Sequence, residues 1–99
     1  MLSDVDPERL VARQSSSTIA AEIDGELSLY EPSTETVAIL NSTASDVWSL
    51  CDGVTSVDEA VLLLAKAYSV EEESIRREVI RVVEDLLRQG FLQEVSKTD

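Results

Sequence analysis

The stretch LNSTASDVWSLCDG, residues 40–53, decides how the chain is read. It begins as the end of a strand, passes through a helix cap, runs as a short amphipathic helix and stops at Asp52-Gly53. Asn41 or Ser42 supplies the capping oxygen, and Asp46 lies in the early turns, where the helix dipole favours an anion. Ala44, Val47, Trp48 and Cys51 recur at helical spacing and so share one apolar face. Trp48 and Cys51 are the chain's only tryptophan and cysteine, which raises the question of a reactive centre. The chain has no histidine, and the acidic neighbours Asp46 and Asp52 do nothing to activate a thiol. Both residues are read as core anchors.

Upstream lies a run of short strands. Asp24-Gly25 is a hairpin signal between residues 18–23 and the segment ELSLYE. Leu27, Leu29 and Glu31 fall on one face of that second strand, and Glu26, Ser28 and Tyr30 on the other. Pro32 and Ser33 bend the chain into TVAIL, residues 36–40, whose β-branched content marks a third strand. Three strands with tight turns make a small antiparallel meander. Residues 1–14 are polar and mixed and read as a flexible tail whose RLVARQ end leads toward a strand. The Ser15–Ser17 run reads as loop or early strand, the folded domain as residues 15–95, and residues 96–99 as a C-terminal tail.

Downstream, Thr55 or Ser56 opens a second helix with the stripe Val57, Ala60, Val61, Leu64, Ala67 and Tyr68. The intervening CDGVTS reads as a short glycine-containing turn. Ser69 is a candidate cap for a third helix over residues 71–89, ended by Gly90, and FLQEV beyond it either pairs as a strand or packs on the core. The Glu71–Glu73 run lacks the spacing and glycine of a calcium loop and suits a helix start. On a wheel centred on Val83, the apolar arc of the third helix spans about 160°, wider than one small core face requires. The surplus offers an apolar strip to a partner. Four of the eight cations, Arg76, Arg77, Arg81 and Arg88, lie on this helix. Favourable i,i+4 order pairs Glu73 with Arg77 and Glu84 with Arg88. Arg76, on the apolar arc, and Arg81 are candidates for a binding role or for laying aliphatic stem over the core.

Strands followed by helices define an α+β domain, a winged helix-turn-helix-like arrangement with a three-stranded antiparallel sheet followed by three α-helices. The 99 residues suffice for one modest core. A net charge of −12 repels nucleic-acid phosphate, and the middle helix opens with Asp58 and Glu59 and has Lys66 as its only cation. No signal peptide, membrane span, P-loop or dinucleotide motif is present. One cysteine and no histidine exclude disulfide frameworks and Cys/His zinc sites. These features lead to expectations of a cytoplasmic protein, monomeric or weakly dimeric, with no cofactor, no metal and no catalytic constellation.

The elements LN-S-TA-x-x-VW-x-L-CDG, then TSVDEAVLLLAKAYSV, then a helix ending LLRQGFL, are similar to the PqqD family. These are the small recognition domains of pathways that modify ribosomally made peptides. The resemblance covers about residues 19–92. It implies a non-catalytic module that binds the leader region of a precursor peptide as an added strand and presents it to a separate modifying enzyme such as a leader peptidase, cyclase or radical SAM enzyme. Carried onto this sequence, the receiving edge is Thr36, Val37, Ala38, Ile39 and Leu40. The helix side of the groove is drawn from Ile75, Arg76, Val79, Ile80 and Val83, with Arg76 available to an acidic leader residue. A winged-helix DNA-binding regulator is the alternative.

Overall fold

Asp24 and Gly25 both adopt positive φ, 54° and 81°, the conformation of a two-residue hairpin turn that matches strand twist. They join β2 (Ile19–Ile23) to β3 (Glu26–Glu31), and a four-residue turn joins β3 to β4 (Thr36–Leu40). Three helices follow, α1 (Ser42–Leu50), α2 (Val57–Tyr68) and α3 (Glu72–Arg88). The structure is a computed structural model that describes residues 9–95.

The helix boundaries have local causes. Asn41 caps α1, its Oδ1 accepting the Ala44 N–H at 2.8 Å. Ser56 and Glu59 form a reciprocal capping box at the start of α2, with bonds of 3.1 and 2.9 Å. Ser69 does not cap α3. It ends α2 in the left-handed region, at φ 58°, and α3 starts after Glu71 without a side-chain cap. At the far end of α3, Gly90 has φ 89°. The Phe91 and Gly90 N–H groups return to the Leu86 and Leu87 carbonyls at 2.9 and 3.1 Å, a Schellman closure.

The expected meander forms in the order β2-β3-β4. A second three-stranded sheet departs from the sequence reading. Its central strand is β1 (Val11–Gln14), flanked by β5 (Asp52–Ser56) and β6 (Leu92–Glu94). The segment read as a turn between α1 and α2 is therefore largely strand β5, and the expected flexible tail of residues 1–14 ends in the middle strand of a sheet. Ala12 is buried, Gln14 Nε2 donates to the Trp48 carbonyl at 2.9 Å, and the Ser15 N–H donates to the Phe91 carbonyl at 2.9 Å. Alternation in VARQ is too short to signal a strand. Its pairing comes from residues 40 and 80 positions later. Residues 1–8 and 96–99 lie outside the described residues.

The core gathers Leu29, Val47, Trp48, Cys51, Val61, Val79, Val83 and Phe91. Glu31 enters it as well, at 1% exposure, and is held by hydroxyl groups rather than by a cation. Ser17, Ser33 and Thr18 each donate a hydroxyl bond of 2.6 Å, and Ser15 one of 3.2 Å. The Ser33 N–H adds a bond at 3.2 Å. The Ser17 bond contributes most, then those of Ser33 and Thr18. Together they outweigh burial and hold the Glu31 pKa down to about 2.

Two outcomes follow. A variant starting at Ser15 loses the central strand of the second sheet and is expected to melt at least ~10 °C lower, since each kcal/mol moves a small domain by about 4–8 °C; an unchanged melting curve would disprove this. The depressed Glu31 pKa makes its contribution fully present above the ordinary value of 4.5 and lost as pH falls toward 2. Ser17→Ala and Thr18→Val should therefore shift the acid-unfolding midpoint to higher pH, as followed by circular dichroism, while Glu31→Gln should destabilise the fold at neutral pH.

Candidate functional site

Among the described residues β4 has β3 as its one sheet neighbour, so its other edge presents unpaired backbone N–H and C=O groups. The strand carries no proline, lysine or bulge to protect that edge. Val37 and Ile39 stand on the outer face at 61% and 66% exposure, Thr36 and Ala38 are half-buried on the inner face, and Leu40 is buried. All five strand positions drawn from the sequence are thus together on one edge.

The five helix positions divide. Ile75, Val79 and Val83 are buried in the core against α1 and α2, and only Arg76 and Ile80 are partly accessible. Arg76 is engaged within the protein, bonding Asp58 of α2 at 2.9 Å and Glu72 at 3.1 Å, with Glu73 at 3.9 Å. Glu72 stands four residues before it, a partner that the pairing of Glu73 with Arg77 had obscured. Arg88 pairs with Asp85 rather than with Glu84. The Arg76–Ile80 strip of α3 therefore turns toward the first turn of α2.

Two contacts fix how α3 lies beside β4. At its C-terminal end, a Cβ on Gly90 would stand 4.0 Å from Thr34 Cγ2, just before β4 begins. Further back, Glu78 acts on Tyr68, whose hydroxyl donates to Asp46 and also meets Thr43 in α1, just after β4 ends. Burial first, then Asp46, push the Tyr68 pKa up to about 12. The helix thus runs antiparallel to β4, and Glu78, Val82 and Asp85 follow one another at three- to four-residue spacing along one side of it. Val82 is half-buried. α3 packs mainly on α1, α2 and β6 and has little contact with β4. The sequence carried no signal for which edge of the apolar arc faces which neighbour; that depends on packing between helices distant in the chain.

The open β4 edge offers unpaired backbone groups beside exposed Val37 and Ile39. Among the described residues there is no group of three or more metal-ligating side chains, and no helix is long and apolar enough to cross a membrane. Cys51 is buried, and desolvation, aided by the Asp52 charge, raises its thiol to about 12. Asp52 is instead a turn-former, with a pKa lowered by the N–H groups of Thr55 and Val54. Gly53 has φ 87° and lies against Arg13 of β1, so the CDG motif marks the place where β5 meets β1.

The family model for Coenzyme PQQ synthesis protein D (PqqD) matches residues 26–92, from β3 into β6. The chain belongs to the PqqD family. The matched PqqD segment contains β4 and α3, whereas β1 and β2 precede it. Two similar curated proteins are PqqA binding proteins of Rhodopseudomonas palustris. That of strain TIE-1 is 33% identical over 64 residues, 65% of this chain and 63% of the relative. That of strain HaA2 is 35% identical over 60 residues, 61% and 59% respectively. The chain thus spans about three-fifths of the length of these relatives. A solved structure, TbiB1 in complex with the TbiA(beta) leader peptide, matches with a TM-score of 0.72 and 25% identity, covering 88% of this chain and 99% of that one. The structural likeness therefore reaches beyond the segment matched by the PqqD family model.

The Cys51 environment carries its own outcome. The thiol should resist a chromogenic disulfide reagent at pH 8 in the folded protein and react stoichiometrically in denaturant. Rapid reaction under native conditions would contradict the buried, neutral thiol described above.

Proposed function

We propose that this chain is a non-catalytic module that binds the leader region of a ribosomally made precursor peptide by strand addition to β4, and presents it to a separate modifying enzyme or leader peptidase. The open β4 edge, with the Glu78–Val82–Asp85 side of α3 proposed as its companion, carries the reading. It has the form required for β-augmentation, in which backbone bonds supply affinity and alternate side chains supply selectivity. The likeness to TbiB1, solved with a leader peptide, supports it.

In this proposal the incoming strand bonds the backbone of Thr36–Leu40, and its inward side chains reach Ala38 and Val82. Glu78 and Asp85 flank the helix side, so the complementary peptide carries an apolar residue between basic or amide-bearing ones. Arg76 is not the acid-reading group, because Asp58 and Glu72 already hold it.

The experiment is a fluorescence titration with the labelled TbiA(beta) leader peptide and with leader peptides from precursor genes adjacent to this one. Binding near micromolar is expected for a cognate leader, some 8 kcal/mol on the affinity scale. Val82→Asp should weaken it at least ~10-fold by removing apolar contact. Glu78→Lys should shift preference toward acidic peptides, with both variants retaining the wild-type circular dichroism. Ile39→Pro should abolish strand pairing. If no adjacent leader binds more tightly than about millimolar, or if Val82→Asp and Glu78→Lys leave binding untouched, the groove is not the site.

A further inference from the structure

One face of the β2-β3-β4 sheet packs on α1 through Leu29, and the other is uncovered and apolar. The strand register puts Tyr30 between Ile19 and Val37, and Ser28 between Ala21 and Ile39, with Ile23 beside Glu26. Ile19, Ile23, Val37 and Ile39 are 57–66% exposed, and Tyr30 40%. At those exposures the five side chains present on the order of 500 Å², as a bulky side chain offers ~150–250 Å² in all. A patch of that size is at the upper end for a monomer and is often an interface. Glu26 is the one charged side chain among these face positions, on a chain of net charge −12.

We infer that this face joins two copies of the chain, sheet on sheet, in a weak two-fold dimer. Three observations carry the choice of a second copy. The first is area: two such faces together bury ~1,000 Å², the lower bound for a specific interface. The second is shape. The row Ile19–Tyr30–Val37 stands high, and the neighbouring pair Ala21–Ser28 forms a low trough. In an isologous contact, each Tyr30 ring enters the trough of the other copy, and its hydroxyl meets the Ser28 hydroxyl there. The third is charge. Two chains of net −12 repel each other across most of their surface, and they approach at least cost where the contact is bare of charge. Side chains on a sheet face stand perpendicular to its hydrogen-bonding edges. Both β4 edges therefore stay open in the dimer, and the inference does not depend on the peptide-binding reading.

The test is sedimentation velocity on the full chain from about 10 to about 500 µM, a range that brackets weak association. The wild type should move toward twice the monomer mass as concentration rises, and further at ~0.5 M salt, where repulsion is screened. Ile19→Lys and Ala21→Arg should remain monomeric with unchanged thermal melting. Both substitutions lie on β2, separated from β4 by β3, so leader-peptide titrations on the same variants fail or succeed independently. A wild type that stays monomeric throughout overturns the dimer. So does equal association of the two variants, or association that weakens with salt.

Discussion

The structure hinges on a junction at Phe91, Ser15 and Glu31. The Phe91 N–H closes the end of α3, its carbonyl receives the Ser15 N–H, and its ring is fully buried. The Ser15 hydroxyl in turn reaches Glu31, at the end of β3. One short path of backbone and hydroxyl bonds therefore links the last helix, the chain leaving β1 and the turn that opens β4. Hydrophobic burial supplies the bulk of the stabilisation but is non-directional. It is these directional bonds that join the end of α3 to the chain leaving β1 and to the end of β3.

The site is as informative for what its charges are already doing. An arginine on the apolar arc of a helix invites a binding role, yet Arg76 spends its donors on Asp58 and two glutamates of its own helix. Its work is to fasten α3 to the first turn of α2. On the opposite strip Val82 is half-buried against the core, Glu78 acts on Tyr68 and Asp85 pairs with Arg88 of the same helix.

Much of this was legible in the sequence where cause and effect are local. Asp24-Gly25 announced the hairpin, the pairs Asn41 or Ser42 and Thr55 or Ser56 bracketed the two caps, and the spacing of Val47, Trp48 and Cys51 announced a buried face. The alternation of Leu27, Leu29 and Glu31 even put the buried carboxylate on the core side. What stayed hidden was long-range. VARQ and DGVTS are too short and too polar to declare themselves strands, and they become strands only when brought together with LQE from the end of the chain. The orientation of α3 was hidden for the same reason. A helical wheel gives the width of an apolar arc, but packing on α1 and α2, elements distant in the chain, decides which of its residues meet the core.

The hydroxyl cage around Glu31 has a further consequence. Its donors are neutral, so no partner charge is present for dissolved ions to screen. The exposed ion pairs of Arg76 and Arg88 weaken as salt rises, whereas the hydroxyl bonds to Glu31 do not. Ionic strength therefore loosens the tie between α3 and α2 while leaving the junction at Phe91, Ser15 and Glu31 intact. A scaffold built this way can change its surface charges over a wide range without loosening the cage that fixes the end of β3.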